Sequence, residues 1–307
     1  MRGGIGRVAA GGGGDAGGVA KKEAYMSTET TYMGLELTTP IVVSASTLTN
    51  SPKKVGELER HGAGAVVLKS LFEEQLVANR GELEDRDQMF FWYPEALDYV
   101  DGLGREEGVD AYIDLIKAAK EATSIPIIAS LNCVSEEAWP QFARRVEKAG
   151  ADGIELNIYL PSQAWEGAAV DREELHLRVA SAVVQSVSIP VSAKIGFYFT
   201  HLPGFVVELS KTGIEGLVLF NRFYRPDIDI EKLRIESGTI FSSPEELTLS
   251  LRWIALLAGK AECDLIGATG IHDHEGIIKE LLVGARAVQV CSTLYKHGLE
   301  HLRTMQS

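Results

Sequence analysis

The sequence of 307 residues is poor in cysteine and in positive charge. Its three cysteines, Cys133, Cys263 and Cys291, are too few and too scattered for a disulfide framework, so we expect a protein of the reducing cytoplasm. A net charge of -13 and the lack of a basic run argue against nucleic acid as a partner. No apolar run reaches the roughly 18 residues of a membrane-spanning helix, which argues against a membrane partner.

The start of the chain differs in composition from the rest. Residues 1–26 are rich in glycine and nearly free of large apolar side chains, so burial cannot offset the conformational entropy that folding would cost. We predict a disordered leader over residues 1–26 and one folded domain over residues 27–307. A targeting peptide is the alternative, although this stretch lacks the continuous apolar core of a secretory signal.

Eight short β-branched runs follow, and helical patterns separate them. They lie at residues 41–45, 65–69, 126–131, 153–158, 191–195, 216–221, 263–268 and 287–291. Runs that are apolar on both faces are typical of parallel strands buried between a core and helices. The pattern predicts an α/β fold, a TIM (β/α)8 barrel. A doubly wound sheet is the alternative, but it usually has a glycine-rich turn after its first strand, and residues 44–50 (SASTLTN) contain no glycine.

Three further segments surround this repeat. Residues 30–40 alternate around Gly34 and predict an N-terminal hairpin that closes the bottom of the barrel. Residues 71–108, after the second strand, and residues 222–243, after the sixth, are long insertions, and such insertions are usually functional lids. The first insertion is rich in aromatic residues and would also suit a dimer face, so we consider a homodimer.

Polar residues stand at the ends of six predicted strands. They are Ser44, Lys69, Ser70, Asn132, Asn157, Lys194 and Asn221. In a TIM barrel these ends form one rim, which carries the active site. A buried lysine is costly without an acceptor or anion, and Glu155 could satisfy one of the two lysines. Two lysines with amides between them favour a small-molecule ligand that has carbonyl and anionic groups.

The last two strand ends predict phosphate binding. Gly267 and Gly270 mark the end of the seventh strand and Ser292 follows the eighth, where barrels often hold phosphate with backbone N–H groups and the start of a short helix. Taken singly, each glycine is explained by a tight turn. His272 and His274 lie nearby, but no carboxylate spacing accompanies them, so we expect no metal.

Residues from about 30 to 305 resemble the dihydroorotate dehydrogenases, the FMN-dependent barrels of pyrimidine biosynthesis. TPIVVSAST (39–47) resembles the family's N-P-x-x-x-A-S-G-T, and AGADGIELNIYLPS (149–162) resembles A-G-A-D-x-I-E-L-N-x-S-C-P-N. LIGATGI (265–271) resembles I-x-G-x-G-G-I, and VQVCSTLYKHG (288–298) resembles L-Q-I-G-T-A-L-x-x-x-G. VVLKS, VSAKI and LFNR resemble the lysine-bearing second strand, the V-K-x strand and the I-N-T segment.

The resemblance implies a set of FMN-binding residues. They are Ser44, Ala45, Lys69, Ser70, Asn132, Asn157, Lys194, Asn221, Gly267, Gly270, Cys291 and Ser292. Lys194 would face the N1–C2 region of the flavin, where a cation stabilises the negative charge of the reduced form. Lys69 would lie near the ring and the substrate, and the backbone of Gly270, Cys291 and Ser292 would hold the phosphate.

The resemblance fails at the substrate side. The family removes a substrate proton with Cys or Ser on the loop after the fourth strand, and the matching residue is Leu160, which cannot accept a proton. Tyr159, Ser162, Tyr198 and Cys133 are candidate replacements, each also explained by ordinary packing. The family's N-x-M-G-x-x-N segment has no counterpart in residues 71–108.

We therefore predict a dihydroorotate dehydrogenase-like oxidoreductase that transfers hydride between a dihydropyrimidine-type substrate and FMN. Lys69 and Tyr159 are its candidate catalytic residues. Three alternatives are a flavin oxidoreductase for a different substrate, an FMN-binding protein without dihydroorotate turnover, and a barrel that binds another phosphate ester.

Overall fold

The structure, a computed structural model, describes residues 28–72, 105–132, 137–158, 172–222, 226–237 and 240–307. Numbered in chain order, the strands of this part are β1 (Thr30–Tyr32), β2 (Leu35–Leu37), β3 (Ile41–Val43), β4 (Ala65–Val67), β5 (Leu71–Phe72), β6 (Ile127–Asn132), β7 (Gly153–Asn157), β8 (Val191–Ile195), β9 (Gly216–Leu219), β10 (Pro226–Asp229), β11 (Arg234–Ser237), β12 (Asp264–Ala268) and β13 (Ala287–Val290). Each of the eight predicted strands is present.

The strands form a closed parallel barrel. The order around it is β4-β3-β13-β12-β9-β8-β7-β6, and β4 also pairs with β6, which closes the ring. Every pair in this ring is parallel, for example β7 with β8 through Leu156 opposite Ala193. The predicted TIM barrel is therefore confirmed, and the open doubly wound sheet is wrong.

Helices surround the barrel. In the described residues they are α1 (Pro52–Arg60), α2 (Arg105–Ala122), α3 (Ala138–Lys148), α4 (Arg172–Val184), α5 (Leu202–Ser210), α6 (Leu247–Leu257), α7 (His274–Val283), α8 (Ser292–His297) and α9 (His301–Gln306). Local sequence sets several of their ends. Ser51 caps α1 by accepting a hydrogen bond from the backbone of Lys54, and Asp273 caps α7 through Gly276. Helix α7 ends at Gly284, which has φ of 117°.

The predicted N-terminal hairpin closes the bottom of the barrel. Strands β1 and β2 pair antiparallel, and the Met33 N–H between them donates to the Asp264 carboxylate at 3.0 Å. Gly216, the first residue of β9, makes room for the hairpin, since a Cβ there would lie 2.6 Å from the Tyr32 ring. Asp264 and Gly216 both begin strands, so the hairpin covers the end opposite the predicted site.

Alternation along the strands sorts the side chains into two apolar layers. One cluster fills the barrel and includes Val42, Val67, Ile128, Val218 and Ile266, while a larger cluster joins the outer strand faces to the helices. The same alternation turns polar residues near the strand ends toward the barrel axis. The interior therefore changes from apolar at the bottom to polar at the mouth.

The two insertions differ in how far the structure describes them. The first begins at β5, and its residues 73–104 lie outside the described part, as does the predicted leader. The second contains an antiparallel hairpin of β10 and β11 with Ile228, Ile230 and Leu233 exposed near its tip. Across the described ranges, no helix combines the length and apolarity needed to span a membrane.

Candidate active site

Four polar side chains meet across the barrel near its mouth. The Lys194 ammonium on β8 donates to the Ser44 hydroxyl (2.9 Å) and to the Gln289 amide oxygen (3.0 Å). The Ser44 hydroxyl, just after β3, donates to the same amide oxygen at 3.0 Å. The Gln289 amide nitrogen on β13 donates to the Glu155 carboxylate on β7. Since β8 lies opposite β3 and β7 lies opposite β13, the network spans the barrel.

The Gln289 amide lies between the two charged groups of this network, Lys194 and Glu155. Glu155 and Gln289 are almost fully buried. Burial raises the pKa of Glu155, while the positive charge of Lys194 and the hydrogen bond from Gln289 act in the opposite direction. Within the described residues Lys194 uses two of its three N–H groups, so one remains for a group at the mouth.

Asn157 and Asn221 form a second polar pair at the rim. The Asn221 Nδ2 donates to the Asn157 Oδ1 at 2.7 Å, which joins the ends of β7 and β9. This bond leaves the Asn157 amino group and the Asn221 oxygen to face other partners. The predicted rim amides from these two strands therefore lie together.

A cavity of about 180 Å³ opens beside Asn221. Its walls include the aromatic rings of Phe197, Tyr198 and Phe220, and Tyr198 is mostly exposed. The ion pair between Arg222 and Glu246 (3.3 Å) lines the same space. Cavities of roughly 150 Å³ accommodate a benzene ring, so this space is large enough for one small ring.

Asn132 carries a buried hydrogen-bond donor at the end of β6. Its Nδ2 is buried and has no partner among the described residues. A buried polar atom left unpaired costs about 1–3 kcal/mol, so an acceptor supplied by a ligand would stabilise this arrangement. Lys69, at the end of β4, is also buried, with 3% of its surface exposed. The side chains predicted from the second and third strands therefore lie at the barrel mouth.

Ser70 has a structural partner instead. Its hydroxyl lies 2.7 Å from the Ser130 hydroxyl. Between β4 and β5 the pairing with β6 is interrupted, and the Tyr112 hydroxyl there donates to the Ser130 carbonyl and accepts from its N–H. These bonds satisfy backbone groups that the gap would leave unpaired. The FMN-binding role of Ser70 stays a prediction.

The residues predicted to hold phosphate converge on Ser242. The Gly270 N–H donates to the Ser242 hydroxyl (3.4 Å), and the Ser242 N–H donates to the Ser292 hydroxyl (3.0 Å). His272 Nε2 lies 3.1 Å from the same Ser242 hydroxyl, and Lys296 donates to the Ser242 carbonyl at 2.7 Å. The ends of β12 and β13 therefore form one polar site with the segment before α6.

Two of the predicted glycines have packing roles. Gly267 lies inside β12 and faces outward, where an added Cβ would meet the Glu280 carboxyl at 2.6 Å. Gly270 has φ of 83°, and a Cβ there would lie 2.1 Å from the backbone nitrogen of Leu247. Packing alone explains both glycines, and phosphate binding by them stays a prediction.

Thr269, before Gly270, holds an uncommon backbone conformation. Its φ is 76°, which strains a β-branched residue. Its hydroxyl donates to the Phe220 carbonyl at 3.1 Å, which fastens the loop to the end of β9. The family motif I-x-G-x-G-G-I has a glycine at this position, and glycine adopts positive φ without strain.

The remaining predicted residues divide into two groups. Ala45 and Cys291 are half-buried, and they lie two residues after β3 and one residue after β13, as expected for backbone contacts at the mouth. Tyr159 lies outside the described residues, as do Leu160, Ser162 and Cys133, so the catalytic prediction for Tyr159 and the other candidates on these positions stays open.

Sequence reasoning missed Gln289, Tyr112 and Ser242. Gln289 carried a usable signal, since an amide at an inward position of an apolar strand is the feature that identified Asn157. Tyr112 and Ser242 carried none, because each meets its partners only after distant segments pack together.

Comparison with known proteins identifies the chain. The sequence profile of the family described as dihydroorotate dehydrogenase matches residues 27–306. The chain belongs to the dihydroorotate dehydrogenase family. It is 28% identical over 287 residues to the dihydroorotate dehydrogenase B (NAD(+)) catalytic subunit of Methanothermobacter thermautotrophicus, with 90% of each chain covered.

Other family members give similar values. The corresponding catalytic subunit of Thermoplasma volcanium is 26% identical over 287 residues, with 90% of each chain covered. Dihydroorotate dehydrogenase A (fumarate) of Limosilactobacillus reuteri is 25% identical over 265 residues, with 84% of each covered. The chain is thus an oxidoreductase of a flavin-dependent family, and its barrel with surrounding helices is the family fold.

Proposed function

We propose that this protein binds FMN at the barrel mouth and transfers hydride between FMN and a dihydropyrimidine-type substrate, as an enzyme of pyrimidine biosynthesis would. The observation that carries the proposal is that the barrel mouth combines a buried Asn132 donor, which has no partner among the described residues, with the Lys194 cation. A flavin ring offers carbonyl and nitrogen acceptors to the first and gains negative charge on reduction beside the second.

The residues of the site fit FMN. Lys194, Asn132 and Asn157 would hold the ring, and Ser44 and Ala45 would contact it through their backbone. Ser292 and the backbone of Gly270 and Cys291 would hold the phosphate, with Lys69 near the ring and substrate. When bound, FMN supplies the hydride-accepting and hydride-donating chemistry that amino acids lack.

The protein's own groups would bind the flavin and the substrate, orient them and exclude water. Lys194 places positive charge where negative charge develops, which is the kind of preorganised electrostatic stabilisation that lowers reaction barriers. The Asn157–Asn221 pair fixes two amides, and the remaining Asn157 donor and Asn221 acceptor could orient a planar heterocycle. The hairpin at the barrel bottom and the apolar interior would limit access of water to the site from below.

Purified protein should be yellow with bound flavin. A colourless protein that takes up no added FMN would contradict the cofactor assignment. Under anaerobic conditions, dihydroorotate should bleach the flavin of the wild-type protein. Normal bleaching by dithionite without bleaching by dihydroorotate would instead exclude dihydroorotate as substrate.

A specific observation favours a second candidate, a flavin oxidoreductase for a different substrate. Leu160 stands where the family has its proton acceptor, and Arg222 follows Asn221 where the family pattern has threonine. The cavity beside Asn221 and its Arg222–Glu246 pair then offer a different binding space. A panel of dihydropyrimidines and enoates, tested for flavin bleaching or reoxidation, would identify such a substrate. If neither the panel nor dihydroorotate reacts, FMN binding without turnover remains.

The variant Leu160→Cys separates the two candidates. If only the base is missing, this variant should gain dihydroorotate turnover, while the matched variant Leu160→Ala should not. Equal activity of both variants would place the difference in substrate binding.

Assembly is a separate proposal. We infer a homodimer from the apolar and aromatic character of the first insertion. Sedimentation velocity should give twice the monomer mass, and a monomer at micromolar concentration would contradict it.

A further inference from the structure

The Gln289 amide is the centre of the network that crosses the barrel. It is the one group that touches Glu155, Ser44 and Lys194 in the described structure. It comes from β13, whereas Glu155 and Lys194 come from the neighbouring strands β7 and β8 on the opposite wall. A side chain from across the barrel therefore lies between two oppositely charged neighbours.

The hydrogen-bond chemistry allows one orientation of this amide. An ionised carboxylate only accepts hydrogen bonds and an ammonium only donates them. The amino group of Gln289 must therefore face Glu155, and its oxygen must face Lys194. The Ser44 hydroxyl completes the arrangement, because it accepts from Lys194 and donates to that oxygen. Both acceptors of the ammonium are neutral, so its charge is held in place without being cancelled by contact.

Removal of the Gln289 amide would take a hydrogen-bond partner from both Lys194 and Glu155. Lys194 and Glu155 interact electrostatically, and the Glu155 side chain is almost fully buried. A buried carboxylate that loses its donor gains strongly from direct pairing with a cation. Without Gln289, the flexible lysine side chain would move toward Glu155 and away from the mouth.

We propose that Gln289 is a positioning residue that holds the Lys194 ammonium at the barrel mouth and keeps it from pairing directly with Glu155. This inference rests on the proposed flavin function and names a group that would adjust the reduction potential of the bound flavin. The positive charge then acts on the bound flavin and favours its reduced, negatively charged form.

The test measures the reduction potential of bound FMN, which reports the ratio of the affinities for reduced and oxidised flavin. Gln289→Leu should lower this ratio at least tenfold, a shift of about 30 mV for a two-electron couple. Glu155→Gln should raise it, because it removes the negative charge that opposes Lys194. A role in packing alone predicts no such opposite shifts.

Two further variants serve as a second test and as a control. Gln289→Met keeps the approximate size of the side chain and removes the amide without adding charge, so it should also lower the ratio and decides the matter if Gln289→Leu does not fold. Ser192→Ala is the control, since Ser192 is buried on the same strand as Lys194 but its hydroxyl donates to the Ile154 carbonyl. Its ratio should stay within twofold of wild type.

The outcomes distinguish this inference from the function on which it rests. If the wild-type protein binds no FMN, both are wrong. If FMN binds but the Gln289 variants leave the ratio within twofold of wild type, the positioning role alone is wrong. Shifts of the Gln289 variants and Glu155→Gln in the same direction would also overturn it.

Discussion

At the scale of single residues, burial determines how the polar groups of this barrel behave. Gln289 and Ser44 provide hydrogen-bond partners for Lys194 and Glu155, and the Asn132 Nδ2 has no partner among the described residues. Two buried titratable groups away from the mouth, Glu280 and His176, have shifted pKa values for the same reason. Each therefore makes the free energy of unfolding depend on pH, and the two act in opposite directions.

Glu280 should destabilise the protein as the pH rises. Burial raises its pKa to about 7, and its only hydrogen-bond partner among the described residues is the Ser250 hydroxyl. The folded state therefore holds a proton that the unfolded chain loses near pH 4.5. Between pH 4.5 and 7 the free energy of unfolding should fall by about 3 kcal/mol from this group alone.

Denaturant unfolding of Glu280→Gln at several pH values checks this expectation. Since glutamine does not titrate, the variant should gain about 3 kcal/mol relative to wild type between pH 4.5 and 7.5. Parallel pH profiles for both proteins would contradict it.

His176 should have the opposite effect at acidic pH. Burial among Phe199 and Phe205 lowers its pKa, while its hydrogen bond to the Arg172 carbonyl acts in the other direction. The unfolded chain then binds the proton more strongly, so the stabilising contribution is complete above about pH 6.5 and is lost as the pH falls through the folded-state pKa. Thermal melts of His176→Gln should lose less stability between pH 7 and pH 5 than wild type, and an equal loss would refute the assignment.

At the scale of elements, one loop fastens the barrel to its outer helices. The loop after β12 carries Thr269 and Gly270, both with positive φ. Its tight contact with Leu247 at the start of α6 fixes the side of the mouth predicted to hold phosphate. Close approach of two backbones here requires the absence of a side chain.

A pair of glycine variants measures this contact. Gly270 and Gly259 have similar φ values of 83° and 73°, but a Cβ at Gly259 would meet nothing within 4 Å. Gly259→Ala should therefore cost only about 1–2 kcal/mol of backbone strain. Gly270→Ala should cost about 1–3 kcal/mol more, because the added methyl group overlaps the Leu247 backbone. Equal losses in urea unfolding would show that the loop can move away from α6.

At the scale of the whole molecule, the barrel joins distant parts of the chain at one mouth. A ligand held there would contact several strands and would bind the folded state only. Flavin-free protein in FMN at 100 times its dissociation constant should gain about 2.7 kcal/mol. That gain corresponds to a rise of about 5 °C in melting temperature for a domain of this size.

Riboflavin is the matched control for this measurement. It lacks the phosphate, so at equal concentration it should raise the melting temperature less than FMN does. An equal rise for both would contradict a phosphate site at Gly270 and Ser292, and no rise for either would contradict flavin binding.

Most of the fold could be predicted from the sequence, because periodicity and turn residues are local signals. The eight β-branched runs predict the eight barrel strands, and the alternation around Gly34 predicts the closing hairpin. The polar residues at the strand ends could also be predicted, since parallel strands of one barrel present those ends on one rim.

The tertiary structure alone decided which of these residues meet. The sequence by itself determined a TIM barrel with lysines and amides at its mouth and a leucine at the position of the family's base. Three features follow from packing. Gln289 lies between Glu155 and Lys194, the buried Asn132 Nδ2 finds no partner in the described part of the chain, and Ser242 joins Gly270 to Ser292. These contacts join residues far apart in the chain, and their geometry depends on how the barrel closes rather than on any local pattern.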